Sequence, residues 1–400
     1  MQSEFLVIGI DGGATKVNAW SIVVESENAF RLGDFNVQKS YCEIAGYIEN
    51  FQPVDLNVQL TEWEADNIRP TAAENQQAHC YIKAAVVAIE QIVTQSGYAQ
   101  VLLGIGMPGI KTRNERGIAV LKNGPRMTDY ASRIEEQLSV KGINLVTPIS
   151  HIGSDAYYCG IGEEYATEGL FRTVQNSYYL GGGTGAADAL KLNGRVIPLD
   201  ETKGWFVKAW EMKCPAGHSV ERYVSSKGIQ AIYGEHEQRT VDELSRAGIF
   251  PPQIRRQALH GEKSAVTTMH EVAHYLALLL YERITSLYAG WQGLFQFVNP
   301  NRPAPSTTHA YKRIRLDNII IGQRLGDLLL EARGDTVLWV PFIAELSRLI
   351  NDSTILDQTA KQHYCNNGQF KVELIQISRL REAPALGAGI DAYLTWRKNC

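Results

Sequence analysis

Two glycine-rich turns hold the first chemistry legible in this 400-residue chain. Asp11-Gly12-Gly13-Ala14-Thr15-Lys16 and Gly181-Gly182-Gly183-Thr184-Gly185 each follow a short apolar run. With no Cβ in the way, backbone N–H groups in such turns approach phosphate oxygens closely, and two turns acting together could clamp a triphosphate. Either turn taken singly is equally well a plain hairpin, because glycine is the ordinary turn residue. Asp11 ends the first run, where a carboxylate can hold a hydrated magnesium ion against phosphates.

Other patterns compete for attention. His270-Glu271-Val272-Ala273-His274 is a literal HExxH, which on a helix sets two imidazoles on one face as zinc ligands, with Glu271 as base. No third ligand is legible, since residues 284–315 hold no Asp or Glu. Ala265, Met269, Val272, Ala273, Leu276 and Leu280 also follow helical spacing, so a core helix with two flanking histidines is the plainer reading. Residues 104–109 fit GxGxxG, and 181–186 fit GxGxxA with Glu201 farther on. A dinucleotide site needs a helix after its glycines, and Pro108-Gly109 in one case and Asn193-Gly194 in the other deny it. No GxxxxGK[ST] loop is present.

The elements that must position these residues follow from pattern. Residues 5–10, 17–24, 101–105, 143–149, 177–180, 186–192, 195–198 and 318–321 read as strands. Thr71-Ala72-Ala73-Glu74 is a capping box after Pro70, opening a helix to Ser96 that Gly97 stops. Further helices are expected over 129–140, 156–164 and 264–288, with Asp155 an available N-cap for the second. Asn193-Gly194 signals a type I′ hairpin. Residues 26–69 are aromatic and polar without strong period and are expected to form extra strands and loops on a common core. Strands alternating with helices imply a largely parallel α/β sheet, and the repeated strand, glycine turn, strand unit suggests two related lobes.

Composition narrows the function. The chain carries a net charge of −4, with 44% hydrophobic and 20% charged residues, and such a balanced surface argues against a nucleic-acid partner. Apolar runs such as 5–10 and 275–281 are far shorter than the roughly 20 residues of a membrane span, so no membrane association is expected. Glu4 and the lack of a basic leader point to a cytoplasmic location. Six cysteines without a CxxC pair read as reduced thiols. The length exceeds what one core supports, so two domains are expected.

Taken in order, these residues resemble the ROK family of sugar kinases and regulators, within the actin-like ATPase superfamily that also holds hexokinases. Asp11 to Lys16 is similar to the family's first phosphate motif, and Gly106-Met107-Pro108-Gly109 to its Pro-Gly turn near the sugar. Asn123-Gly124-Pro125 falls where the family carries Asn and Pro. Gly181 to Gly185 with Leu192-Asn193-Gly194-Arg195 resembles the second phosphate hairpin. Ile321-Gly322-Gln323 resembles the adenosine motif with its second Gly replaced, and Pro384-Ala385-Leu386-Gly387-Ala388-Gly389 the C-terminal helix.

The resemblance implies an α/β, two-lobed actin-like (ribonuclease H-like) ATPase fold with a nucleotide cleft between lobes. The first lobe would span 1–168 plus a C-terminal helix at 385–400, the second 169–384. It implies transfer of the γ-phosphate of ATP to a hydroxyl of a hexose or aminohexose, with ATP and Mg2+ as cofactors. Asp155 would accept the hydroxyl proton. Asp11 would hold magnesium through water. Gly12, Gly13, Thr15, Lys16, Gly182, Gly183, Thr184 and Gly185 would hold phosphates, and Gly322 the adenosine. Gly109, Asn123, Ser154, Asp155 and Glu211 would meet the sugar.

Some positions depart from the family. Ser154 replaces the usual sugar-binding Asn, which implies a sugar preference unlike that of an ordinary glucokinase. The zinc-binding cysteine cluster keeps only Cys214, near His218, so a structural zinc is expected to be lost. Partners would be the sugar and ATP, and a homodimer is compatible with this reading. The alternative of another class is a non-catalytic sugar- or nucleotide-binding regulator of the same fold. An HExxH zinc metallopeptidase is the more distant one.

Overall fold

A computed structural model describes residues 4–399. Cys400 and the first three residues, which the expected lobe boundaries include, lie outside them. The chain divides into two units, Met1–Gly169 with Glu382–Cys400, and Leu170–Arg381.

In the first unit, strand Leu6–Gly12 pairs antiparallel with Lys16–Ser26, which pairs antiparallel with Ala29–Ser40. On its other side it pairs parallel with Gln100–Gly106, which in turn takes the short strands Asn144–Leu145 and Ile152–Gly153. The helix Ala72–Ser96 has both arms of its capping box, with Thr71 accepting from Glu74 N and Gly97 in the left-handed conformation. It buries Ala78, Ile82, Ala85, Ile89 and Ile92 against this sheet's core. The helix Ala383–Asn399 covers the opposite face. It lies so close that a side chain on Gly9 would strike the carbonyl of Ala385, and one on Gly104 that of Ala388.

The second unit repeats the same strand order. Ser177–Gly182 pairs antiparallel with Ala186–Leu192, which pairs with Arg195–Ile197, and on its other side it runs parallel to Asn318–Gly322 and then Ile375–Ile377. Asn193 and Gly194 both take positive φ, 51° and 78°, as a type I′ turn demands. The helix Lys263–Ala289 runs through this unit's core, with Met269, Val272, Ala273, Leu276 and Leu280 buried.

Three elements differ from expectation. Residues 26–69 contain an extra strand, as expected, Ala29–Ser40 at the sheet edge, but also a helix, Leu56–Glu64, capped by Asp55. Strand pairing at 143–149 is confined to Asn144–Leu145. The helix Asp155–Tyr165 has Ser154, not Asp155, at its N-cap position, and no side chain caps it. Among the described residues, no helix is long and apolar enough to cross a membrane.

Candidate functional site

The first set of candidate residues is gathered by strand register. Asp11 stands opposite Gly106, and Gly106 opposite Gly153, so three adjacent parallel strands end in one row. Asp11, the Met107-Pro108-Gly109 turn and Ser154-Asp155 therefore leave the sheet together at its carboxyl end, where open α/β sheets place ligands. Gly12 sits on the thioether of Met107, leaving no room for a side chain. Gly109 has φ 92° and is closed in by the Val120 carbonyl, so only glycine fits there. Lys111 Nζ donates to the carbonyls of Met107 (2.6 Å) and Gly109 (3.0 Å), fixing the turn.

The electrostatics of this row are unusual. Burial pushes the Asp11 carboxyl up to about 7, the nearby carboxylates of Asp155 and Glu382 push it the same way, and Lys16 opposes them. Thr15 is exposed, while Lys16 Nζ donates to Gln38 across the neighbouring strand. Asn123 is exposed in a turn.

Two buried tyrosines support the first glycine turn from beneath, and nothing local in the sequence marked them. Tyr41 and Tyr81 stack with ring centroids 3.6 Å apart. Tyr41 Oη donates to Gly13 O (3.2 Å) and Tyr81 Oη to Ala14 O (2.8 Å). Both bonds occupy carbonyls of the turn. A third hydroxyl, Tyr130 Oη, is buried without a partner, and its ring neighbours the same pair. Nearby, His151 Nε2 lies 2.7 Å from Asp391 Oδ2, with Tyr158 Oη donating to the same oxygen (3.2 Å). The bond to Asp391 raises the His151 pKa against the effect of burial.

The second set lies in the other unit. Gly181 stands opposite Gly322, so the second glycine turn and the start of helix Gln323–Ala332 leave that sheet at one end. Gly183 N donates to Gly185 O (2.9 Å), and Ser226 N to Gly183 O (2.8 Å). Glu221 accepts from Ala186 N at 2.9 Å and lies against Gly185. Gly182 packs on the Val224 carbonyl and Leu325. Beside this turn is a cavity of about 260 Å³ lined by Ser226, Ile229, Phe250, Pro251, Leu325 and Leu328, with Arg324 and Asp327 also on its wall. Glu211 accepts from Lys208 N (3.0 Å) and pairs with Arg302 (3.2 Å), so its carboxylate is already engaged.

The competing motifs find structural partners. Glu271 pairs with His236 (3.1 Å) and His274 with Glu345 (3.1 Å), while His270 is exposed. At the reduced cysteine cluster, Cys214 and His218 close a tight turn through Cys214 N donating to His218 O (2.8 Å). Burial pushes the Cys214 thiol up to about 12, and Arg222 bridges His218 (3.0 Å) and Glu235 (2.8 Å). Strands, not helices, follow both GxGxx sequences.

Comparison with solved structures shows the fold. The chain resembles a ROK family glucokinase from Streptomyces griseus, solved with glucose and AMPPNP, at 15% identity and a TM-score of 0.57, over 96% of this chain and 98% of that one. A ROK hexokinase from Thermus thermophilus matches at 16% identity and a TM-score of 0.52, covering 98% and 100%. A ROK family transcriptional regulator, a homologue of the E. coli MLC protein, matches at 12% and 0.50, covering 98% of this chain and 79% of its own. No family model matches the chain, and no curated protein matches its sequence. The actin-like ATPase fold expected from the motifs is thus the fold found, and it is the fold of ROK sugar kinases.

Proposed function

We propose that this chain is an ATP-dependent sugar kinase that transfers the γ-phosphate to a hydroxyl of a hexose or aminohexose. The observation that carries the reading is the row of three strand ends holding Asp11, the Gly109 turn and Asp155 together. The fold, shared with a glucokinase solved with glucose and AMPPNP, supports it.

The residues present suit the cofactors. Asp155 and Glu382 both repel the Asp11 carboxylate, an arrangement that a divalent cation at Asp11 would relieve. Magnesium keeps several of its waters when bound, so Asp11 would hold it through water. The apolar cavity beside the second glycine turn has the chemistry for a nucleotide base, with phosphates over Gly182, Gly183, Thr184 and Gly185, and Gly322 at the adenosine. Bound magnesium would offset phosphate charge. In the first unit, Gly12, Gly13, Thr15 and Lys16 would face phosphates.

Asp155, in the first turn of its helix, accepts the proton of the attacking hydroxyl in this mechanism. Ser154 offers one hydroxyl where an amide would offer two kinds of bond, which supports a preference for a sugar other than glucose. Gly109 and Asn123 would complete the sugar side. Glu211, tied to Arg302, needs to exchange that partner before it can bind a sugar.

A coupled kinase assay over hexoses and aminohexoses, with wild type and Asp155→Asn, tests the reading. The variant should lose at least about a hundredfold in kcat with nucleotide affinity little changed. The second reading, a sugar- or nucleotide-binding regulator without catalysis, is favoured by the replaced residues Ser154 and Gln323 and by the regulator that shares the fold. Wild type that binds AMPPNP yet phosphorylates no sugar would establish that second reading.

A further inference from the structure

Gln323 is the first residue of helix Gln323–Ala332 and has φ 56°, in the left-handed region. Glycine enters this region freely, and a glutamine does not. Such strain is kept where surrounding structure and function over-determine it.

The place of the side chain gives the reason. It reaches back over the second glycine turn: a Cβ on Gly183 would lie 2.6 Å from Gln323 Oε1, and one on Gly181 3.1 Å from its Cδ. The following residues, Arg324, Leu325, Asp327 and Leu328, line the apolar cavity, and Leu325 also packs on Gly182. One helical turn therefore presents a carboxamide over the phosphate turn and a wall to the base cavity. A carboxamide is neutral and carries two N–H donors, so it can meet phosphate oxygens without repelling them.

We infer that Gln323 is a phosphate-contacting residue, donating its side-chain amide to the phosphate chain of the nucleotide above Gly181 to Gly183. This rests on the nucleotide reading proposed above. In an all-glycine version of the turn that contact would fall to the backbone alone.

The test measures binding, not turnover. Magnesium-AMPPNP and adenosine are each titrated calorimetrically into wild type, Gln323→Gly and Gln323→Asn. Asparagine tolerates the left-handed conformation and is too short to reach, so it removes the contact without giving the backbone the freedom of glycine. Both variants should bind AMPPNP at least about tenfold more weakly, the worth of one hydrogen bond to a charged group, and adenosine with unchanged affinity. Both should also melt higher than wild type when unliganded. AMPPNP binding equal to or tighter than wild type in either variant would overturn the inference while leaving the nucleotide reading intact. Wild type that binds neither AMPPNP nor adenosine would overturn the nucleotide reading and this inference with it.

Discussion

Replacing Asp11 with asparagine should stabilise the unliganded chain at alkaline pH. Its carboxyl stands at about 7 instead of 3.8, chiefly through burial, with Asp155 and Glu382 adding repulsion. Each tenfold change in acidity is worth about 1.4 kcal/mol, so the ionised form is disfavoured on the order of 4 kcal/mol, a ceiling because side chains and water relax around the charge. The sign follows from the direction. A group whose folded pKa is raised contributes stability that is whole below its unfolded value and is lost as pH rises through the folded one. Wild type should therefore fall behind Asp11→Asn between about pH 4 and pH 7, and the gap should be constant above about pH 8. For a unit of this size each kcal/mol moves the melting temperature by roughly 2–4 °C, so a gap of about 16 °C is the upper limit. The assay is thermal melting in EDTA, without nucleotide, from about pH 5 to pH 8.5. Adding magnesium and AMPPNP should then raise wild type more than the variant, because the ionised carboxylate gains a partner. A gap of the same size at both ends of the range, or a variant that melts lower at pH 8, would refute the reasoning.

Tyr81→Phe removes the hydroxyl that holds Ala14 O at 2.8 Å and should cost about 1 kcal/mol by thermal melting; if the turn is a phosphate holder, the KM for ATP rises with kcat nearly unchanged, and an unaltered KM would detach the tyrosine pair from function. Asp391→Asn should lower the His151 pKa, since that bond is its main support. The stability lost should be greatest below about pH 6.5, where wild-type His151 is charged in both states, and should shrink as pH rises through the raised folded value. Titration of the His151 ring by NMR checks the first point, and melts at pH 6 and pH 8.5 the second; a loss independent of pH would contradict both.

The parts legible beforehand share a physical property: their cause is local. The capping box at Thr71 and Glu74, the stop at Gly97 and the Asn193-Gly194 turn each fix backbone within a few residues, and each appears where its residues stand. Extra strands are expected within residues 26–69, and Ala29–Ser40 is one, at the sheet edge; its bounds were not legible because its first half does not alternate. The helix Leu56–Glu64 buries only Gln59 and so carries no apolar stripe. Of the site, the motifs gave the glycine turns, Asp11 and Asp155 through resemblance. The apolar cavity was hidden because its walls come from residues 226–229, 250–252 and 324–328, which only the folded chain brings together. Tyr41 and Tyr81 act through side-chain bonds to distant backbone, and no spacing announces such bonds. Gln323 left one sign, a glutamine where the resembling motif has glycine, and its left-handed backbone gives that sign its meaning.

The helix Ala383–Asn399, pressed against Gly9 and Gly104, also orders events during synthesis. The face it covers belongs to strands made first, yet the whole of Leu170–Arg381 must leave the ribosome before the helix does. Until then Val7 and Leu102, which share the face of Gly9 and Gly104, lie on a bare side of the sheet, a state prone to mispairing and to capture by chaperones. Nascent chains arrested before residue 383 should therefore expose the first sheet to protease even though all of its strands are complete. Enlarging Gly389 to valine in the finished protein should reproduce that exposure, because the added methyl groups meet Ile22 and the backbone of Gly9.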